Sequence, residues 1–215
     1  MPDSAARFTP LVELPGRRLF GFACGVDAPA PHRLEAALAA AAAWPRAEPP
    51  TVLIDLSLDE LALPAVLAGL DELSDRGLRP DSVLVRVPAY TATAPAPLLE
   101  HLVELGIGVA VRELDLRGLE LGLLAGAPID VMELPDDCVA VAHRDLHAAA
   151  WLRELVARAH SHDWLTIASH VEGGEQLDAL TTIGCDLVTG PAIGPALDRA
   201  GASRAIERYL PRPRA

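Results

Sequence analysis

Polar and charged residues close a series of apolar runs along this 215-residue chain. Asp55 follows Val52-Leu53-Ile54, Arg86 sits in Val83-Leu84-Val85-Arg86-Val87, and Arg112 with Glu113 follows Val109-Ala110-Val111. Glu133 follows Val131-Met132, Ser169 and His170 follow Ile167-Ala168, and Thr189 follows Leu187-Val188. Gathered in one place, these groups could do three kinds of chemistry. Carboxylates hold divalent cations by replacing lost hydration with their oxygens. Arginines bind phosphate. A serine beside a histidine and a glutamate can form a nucleophile with its base. The arginines count against cations, because a guanidinium stays protonated and has no lone pair to give. At roughly 4 Å and an effective dielectric near 20, two such positive charges repel by about 4 kcal/mol. Asp55, Glu113 and Glu133 bring three negative charges and Arg86 and Arg112 two positive ones, which predicts an ion-pair network with about one negative charge in excess.

Other candidates have plainer readings. His143 and His147 stand four apart, the spacing of a helical metal pair, but no Glu follows in H-E-x-x-H fashion and Asp145 between them reads as a cap. His160 and His162 suit a helix C-terminus, where positive charge meets the dipole. His170 is the most tempting general base, yet only Ser169 lies beside it. Gly173-Gly174 could cradle a phosphate but reads as a tight turn into a helix begun by Glu175, and Asp136-Asp137 reads as a solvated loop before Cys138. Cys24, Cys138 and Cys185 are odd in number and far apart, each in an apolar run read as core strand, which predicts reduced, buried thiols of a cytoplasmic protein.

The elements that must position these residues follow from periodicity. Phe8–Leu14 and Leu19–Cys24 read as a hairpin around Pro15-Gly16. Thereafter strands and helices alternate. Strands are predicted at Thr51–Ser57, Ser82–Val87, Ile107–Glu113, Ile129–Leu134, Trp164–Ser169 and Asp186–Thr189. Helices are predicted at Arg33–Trp44, Leu61–Arg76, Leu98–Leu105, Leu116–Leu124, His147–His160, Glu175–Ile183 and Pro195–Tyr209. Near-continuous apolar strands separated by helices demand a parallel sheet with right-handed crossovers. Two hairpin strands plus six predict a TIM-like (β/α)8-type barrel with an N-terminal antiparallel hairpin strand, in which strand C-termini form the functional mouth. The Leu-rich faces at Leu116–Leu124 and Trp151–Val156 read as core.

Composition narrows the class. Lys+Arg 18 against Asp+Glu 30 gives a net charge of −12, which argues against a grip on nucleic acid or an anionic membrane. With 51% hydrophobic but only 4% aromatic residues, the core must be aliphatic. The Ala36–Ala43 run is too short to span a bilayer, and Met1-Pro2-Asp3-Ser4 does not open a signal peptide. One domain over residues 1–215 is expected, with 1–6 and 211–215 as flexible ends.

Leu165-Thr166-Ile167-Ala168-Ser169-His170-Val171-Glu172-Gly173-Gly174-Glu175-Gln176-Leu177, then Gly184-Cys185-Asp186-Leu187-Val188-Thr189-Gly190, resembles the C-terminal part of EAL domains, the cyclic-di-GMP phosphodiesterases. Their pattern is L-T-V-V-A-E-G-V-E-T-x-E-Q-L followed by G-C-D-x-x-Q-G. Phe8–Leu14 is similar to the family's Y-Q-P-I-V-D-L, and Val52–Ser57 to its L-A-V-N-L-S. The resemblance implies that Ala23 stands where the family has the Glu of Glu-Ala-Leu, and Asp55 where it has a metal-binding Asn. It likewise implies that Arg86-Val87-Pro88-Ala89 replaces the E-I-T-E strand end, and that Arg112 and Glu113 replace the paired aspartates of D-D-F-G-T-G. Glu133 then takes the place of the catalytic Lys, Ser169 that of the water-activating Glu, and Thr189 that of the late Gln, while Glu172 matches a structural Glu. Between Ala23 and Asp55 there is no H-P-x-x-G-x-V-x-P-like segment, which predicts a trimmed first lobe.

The expectation is a degenerate EAL-like protein with no cofactor and no metal, acting as a cytoplasmic regulator through a protein partner. A homodimer is expected, because the region after the fourth and fifth strands contributes dimer contacts in the family; Leu119, Leu121, Leu123 and Leu124 would suit it. One alternative is a receptor that binds cyclic-di-GMP or a related nucleotide without hydrolysing it, through Arg86 and Arg112. Another is an enzyme of a different kind using Ser169, His170 and Glu133.

Overall fold

A computed structural model describes residues 6–14, 16–25, 27–45, 48–89, 97–112 and 126–209. Alternating apolar side chains at the N-terminus form strands β1 (Arg7–Glu13) and β2 (Leu19–Gly25), paired antiparallel. Six short parallel strands follow: β3 (Thr51–Asp55), β4 (Val83–Pro88), β5 (Gly108–Arg112), β6 (Val131–Glu133), β7 (Leu165–Ala168) and β8 (Leu187–Thr189). They run in chain order around a closed barrel, and β8 closes it antiparallel to β1.

Helices α1 (Ala30–Ala41), α2 (Leu58–Leu61), α3 (Pro64–Asp71), α4 (Pro97–Glu104), α5 (Asp136–Val141), α6 (Leu146–His160), α7 (Gly174–Ile183) and α8 (Arg199–Tyr209) connect and cover the strands. Among the described residues the β2–β3 connection holds α1 alone, the short first lobe that the sequence implied.

Side-chain parity builds the interior. Leu11, Leu53, Leu84, Ala110, Val131, Ile167 and Leu187 form one apolar layer inside the barrel, with Ala23 against it. Two residues further toward the C-terminal mouth, the same strands carry Asp55, Arg86, Arg112, Glu133, Ser169 and Thr189. A period of two puts both sets on the inner face, so the polar groups form a second layer on the aliphatic one. The larger core lies outside, between the sheet and the helices, where Phe8, Phe22 and Trp44 pack edge to face or tilted among aliphatic side chains.

Several boundaries differ from expectation for local reasons. Helix α1 begins at Ala30 rather than Arg33, since Pro31 is tolerated in a first turn. The helix read over Leu61–Arg76 is two: Pro64 starts α3, and Ser57, taken for the end of a strand, caps α2. Asp136 and Asp137 are the first turn of α5, not a loop. Cys138 is therefore half-buried on a helix, and Cys185 precedes β8; neither lies in a strand. The stretch before α8 is not helical, because Leu197 pairs with Phe8 through both backbone hydrogen bonds, 2.8 and 3.0 Å. Trp151 is 38% exposed, so the Trp151–Val156 face is only partly core. Pro15, Glu113, the Leu116–Leu124 face and the chain ends fall outside the described residues, and the readings placed on them stay expectations.

Candidate functional site

Strand register carries the charges to one place. Asp55 ends β3 and pairs in register with Arg86 of β4. Arg86 reaches across the mouth as a fork: its Nε donates to Asp55 Oδ1 at 2.6 Å and Nη2 to Asp55 Oδ2 at 2.8 Å. Nη1 donates to Glu133 Oε1 at 2.8 Å and, more weakly, to Ser169 Oγ at 3.3 Å. The Ser169 hydroxyl donates to the same Glu133 oxygen. Arg112 Nε lies 3.6 Å from Asp55 Oδ1 as a second cation beside that carboxylate. One guanidinium thus joins β3, β4, β6 and the turn after β7.

Burial sets the electrostatics. The side chains of Arg86 and Glu133 are 12% and 10% exposed, whereas Asp55 opens toward solvent. Burial pushes the Glu133 carboxyl above the ordinary glutamate range, against the opposing pull of Arg86 and the Ser169 hydrogen bond. The same burial works against the Arg86 charge, but its hydrogen bonds to Asp55 and the charges of Asp55 and Glu133 outweigh it and raise its pKa further.

Neighbouring groups support the mouth. Arg33 of α1 donates from Nε to the Asp55 carbonyl oxygen at 3.2 Å and from Nη2 to Glu60 Oε1 at 2.8 Å. Glu60 closes a capping box with Ser57 at the N-terminus of α2. Neither Arg33 nor Glu60 was singled out in the sequence. The Ser57-x-x-Glu60 spacing was the available signal. His170 adopts φ +56°, a left-handed conformation, and its Nδ1 stands 3.0 Å from Asp136 Oδ2. Gly190 beside it is required: at φ +141° its missing Cβ would lie 2.3 Å from the Val171 nitrogen. Asp145 caps α6 by accepting from His147 N and Ala148 N. His143 Nε2 lies 3.9 Å from Glu175 Oε2 rather than forming a pair with His147.

Of the strand-end residues named from sequence, Asp55, Arg86, Arg112, Glu133 and Ser169 come together, Thr189 lines the adjoining cavity, and Glu113 lies outside the described residues. These groups do not fit a divalent metal cluster. Both Asp55 oxygens accept from Arg86, Glu133 Oε1 accepts twice, and the guanidinium sits between the two carboxylates. Among the described residues no group of three or more His, Cys, Asp and Glu converges on a cation. No helix among them is long and apolar enough to cross a membrane.

A closed eight-stranded barrel with an antiparallel first strand and a polar layer at its C-terminal mouth defines a TIM-type α/β domain. The model of the EAL domain matches residues 28–196, and the chain belongs to this family, that of the cyclic-di-GMP phosphodiesterases. Among solved structures, the EAL domain of Mycobacterium smegmatis DcpA superposes with a TM-score of 0.83 at 18% identity, covering 96% of this chain and 97% of that one. The PaMucR phosphodiesterase in complex with c-di-GMP gives 0.78 at 18%, covering 90% and 91%. The EAL enzyme Bd1971, with cAMP and cyclic-di-GMP bound, gives 0.82 at 16%, covering 94% of this chain. This chain spans 64% of the length of Bd1971. Such identities speak to the fold. No curated protein matches the sequence.

Proposed function

We propose that this chain is a catalytically inactive EAL domain that works as a cytoplasmic regulator by binding another protein, as a homodimer, with residues 1–215 as one barrel domain. The observation that carries the reading is the bidentate contact of Arg86 with both oxygens of Asp55. A hydrolytic EAL site, as the family resemblance implies it, needs carboxylate oxygens free to hold cations; here a permanent internal cation takes them. Arg112 beside Asp55 adds to the opposition. The remaining strand ends, Ala23, Ser169 and Thr189, carry no ionised group. Arg86 is also committed to Glu133, which supports regulation by contact over capture of a cyclic dinucleotide by that side chain.

The test is direct. The purified chain is assayed for hydrolysis of cyclic-di-GMP with magnesium or manganese and titrated with each metal by calorimetry. No turnover and no tight metal binding are expected. Turnover that disappears on Asp55→Ala would refute the proposal. Affinity capture from the native cell, with the chain as bait, is expected to return a stoichiometric protein partner.

A further inference from the structure

Among the described residues, two cavities at the barrel mouth share Arg86 and His170. The one of about 380 Å³ is bordered by Glu133, Asp136 and Asp137. The other, of about 480 Å³, lies over β1, β2 and β8 and has no carboxylate among the described residues of its wall. That volume falls in the range of small-molecule sites. Its surface has two characters. Ala23, Pro191, Pro195 and Ala196 offer an apolar face, while Thr9, Ser169 and Thr189 bring hydroxyl-bearing side chains. The Thr189 hydroxyl is buried and makes no hydrogen bond among the described residues, an unspent polar group of the kind that folded proteins seldom leave.

Charge decides what the cavity excludes. Arg86 is the one arginine among the described residues of its wall, and its hydrogen bonds go to Asp55, Glu133 and Ser169. A phosphate entering here would give up hydration for a cation already matched by two carboxylates, and would meet their negative charge behind it. An uncharged molecule avoids that cost. We propose that this cavity binds an uncharged, hydroxyl-bearing small molecule, the size of a glycoside or nucleoside, and rejects the phosphorylated form of the same molecule. Its ring packs on the proline and alanine face, and its hydroxyls exchange hydrogen bonds with Thr9 and Thr189. The Ser169 hydroxyl proton is given to Glu133, so Ser169 acts toward a ligand as an acceptor.

Calorimetry on the full chain tests this with methyl glucoside and adenosine as uncharged probes, glucose 6-phosphate and adenosine monophosphate as their charged counterparts, and cyclic-di-GMP as a fifth ligand. At least one uncharged probe is expected to bind at one site per chain, its phosphorylated counterpart at least tenfold more weakly. Thr189→Val, nearly isosteric and so not expected to unfold the chain, should weaken that probe about tenfold, the loss of roughly one hydrogen bond. Ala23→Leu, which fills the cavity, should abolish binding. Equal or tighter binding of a phosphorylated probe or of cyclic-di-GMP overturns the proposal, as does the absence of binding by both uncharged probes to folded protein. Loss of this site would leave the inactive-domain reading standing, whereas turnover of cyclic-di-GMP bound more weakly than the uncharged probe would overturn that reading alone.

Discussion

Arg86 is the side chain on which the mouth depends. Replacing it by Met leaves the Glu133 carboxylate without its counter-charge and Asp55 with Arg112 as its neighbouring cation, and breaking a buried pair in this way costs about 3–5 kcal/mol, less where one partner reaches water as Asp55 does. Urea unfolding of Arg86→Met at pH 7 should show a loss of about 3 kcal/mol. The pH dependence has a definite sign. A carboxyl whose folded pKa is raised favours the fold at low pH, and that contribution is lost as pH rises through the folded value. Glu133 is already raised by burial, and without Arg86 it rises further. The defect of Arg86→Met should therefore shrink as pH falls from 7 toward the ordinary glutamate value of 4.5. A defect constant over that range would show that Glu133 is not the group left unpaired. Arg86→Met with Asp55→Leu and Glu133→Leu should recover most of the loss, because apolar side chains can replace a buried ion cluster with little cost.

At the scale of elements, the short helix α2 is held in place by polar groups more than by length. At four residues it is far below what stands alone, so its capping box and the Arg33 contact decide whether it forms. Ser57→Ala should cost about 1 kcal/mol, read as a lowered urea midpoint with an unchanged slope. Burial tends to raise the Glu60 carboxyl, but the Ser57 backbone N–H and the Arg33 guanidinium outweigh it and hold its pKa below the usual 4.5. A depressed carboxyl stabilises above its unfolded pKa and loses that contribution as pH falls through its folded one. Wild type should thus exceed Glu60→Gln in melting temperature at pH 7, the two converging below about pH 4. Because Arg33 also holds the Asp55 carbonyl, this same contact ties α1 and α2 to the end of β3 at the site.

For the whole molecule, closure of the barrel shields the thiols unequally. Cys24 and Cys185 are 3% exposed, and burial pushes both up to about 12, so neither offers a thiolate to reagent at neutral pH. Cys138 is half-buried on α5, outside the strands. Titration with a chromogenic disulfide should modify Cys138 first, and Cys24 and Cys185 only at the rate of unfolding. Rapid modification of two or more thiols in native protein would contradict a closed, aliphatic core.

The strand-and-helix alternation, the positions of Gly106 and Gly184 at helix ends, and the gathering of polar residues at strand C-termini were legible in the linear chain, because they rest on periods of two and 3.6 and on turn chemistry; Gly77, read as a helix stop, lies in a turn beyond the end of α3 at Asp71. So was the pairing of charge types: Arg86 and Arg112 must find carboxylates wherever a barrel buries them. Which carboxylate each would meet was not legible. Register alone sets Asp55 opposite Arg86, and only the closed sheet brings Glu133 and Ser169 within reach of the same guanidinium. Nor could the local sequence show that α1 and α2 brace the end of β3, that Leu197 pairs with Phe8, or that His170 would take a left-handed backbone beside Gly190. These are contacts between segments distant in the chain, and their geometry exists only once strand twist and closure have fixed the distances.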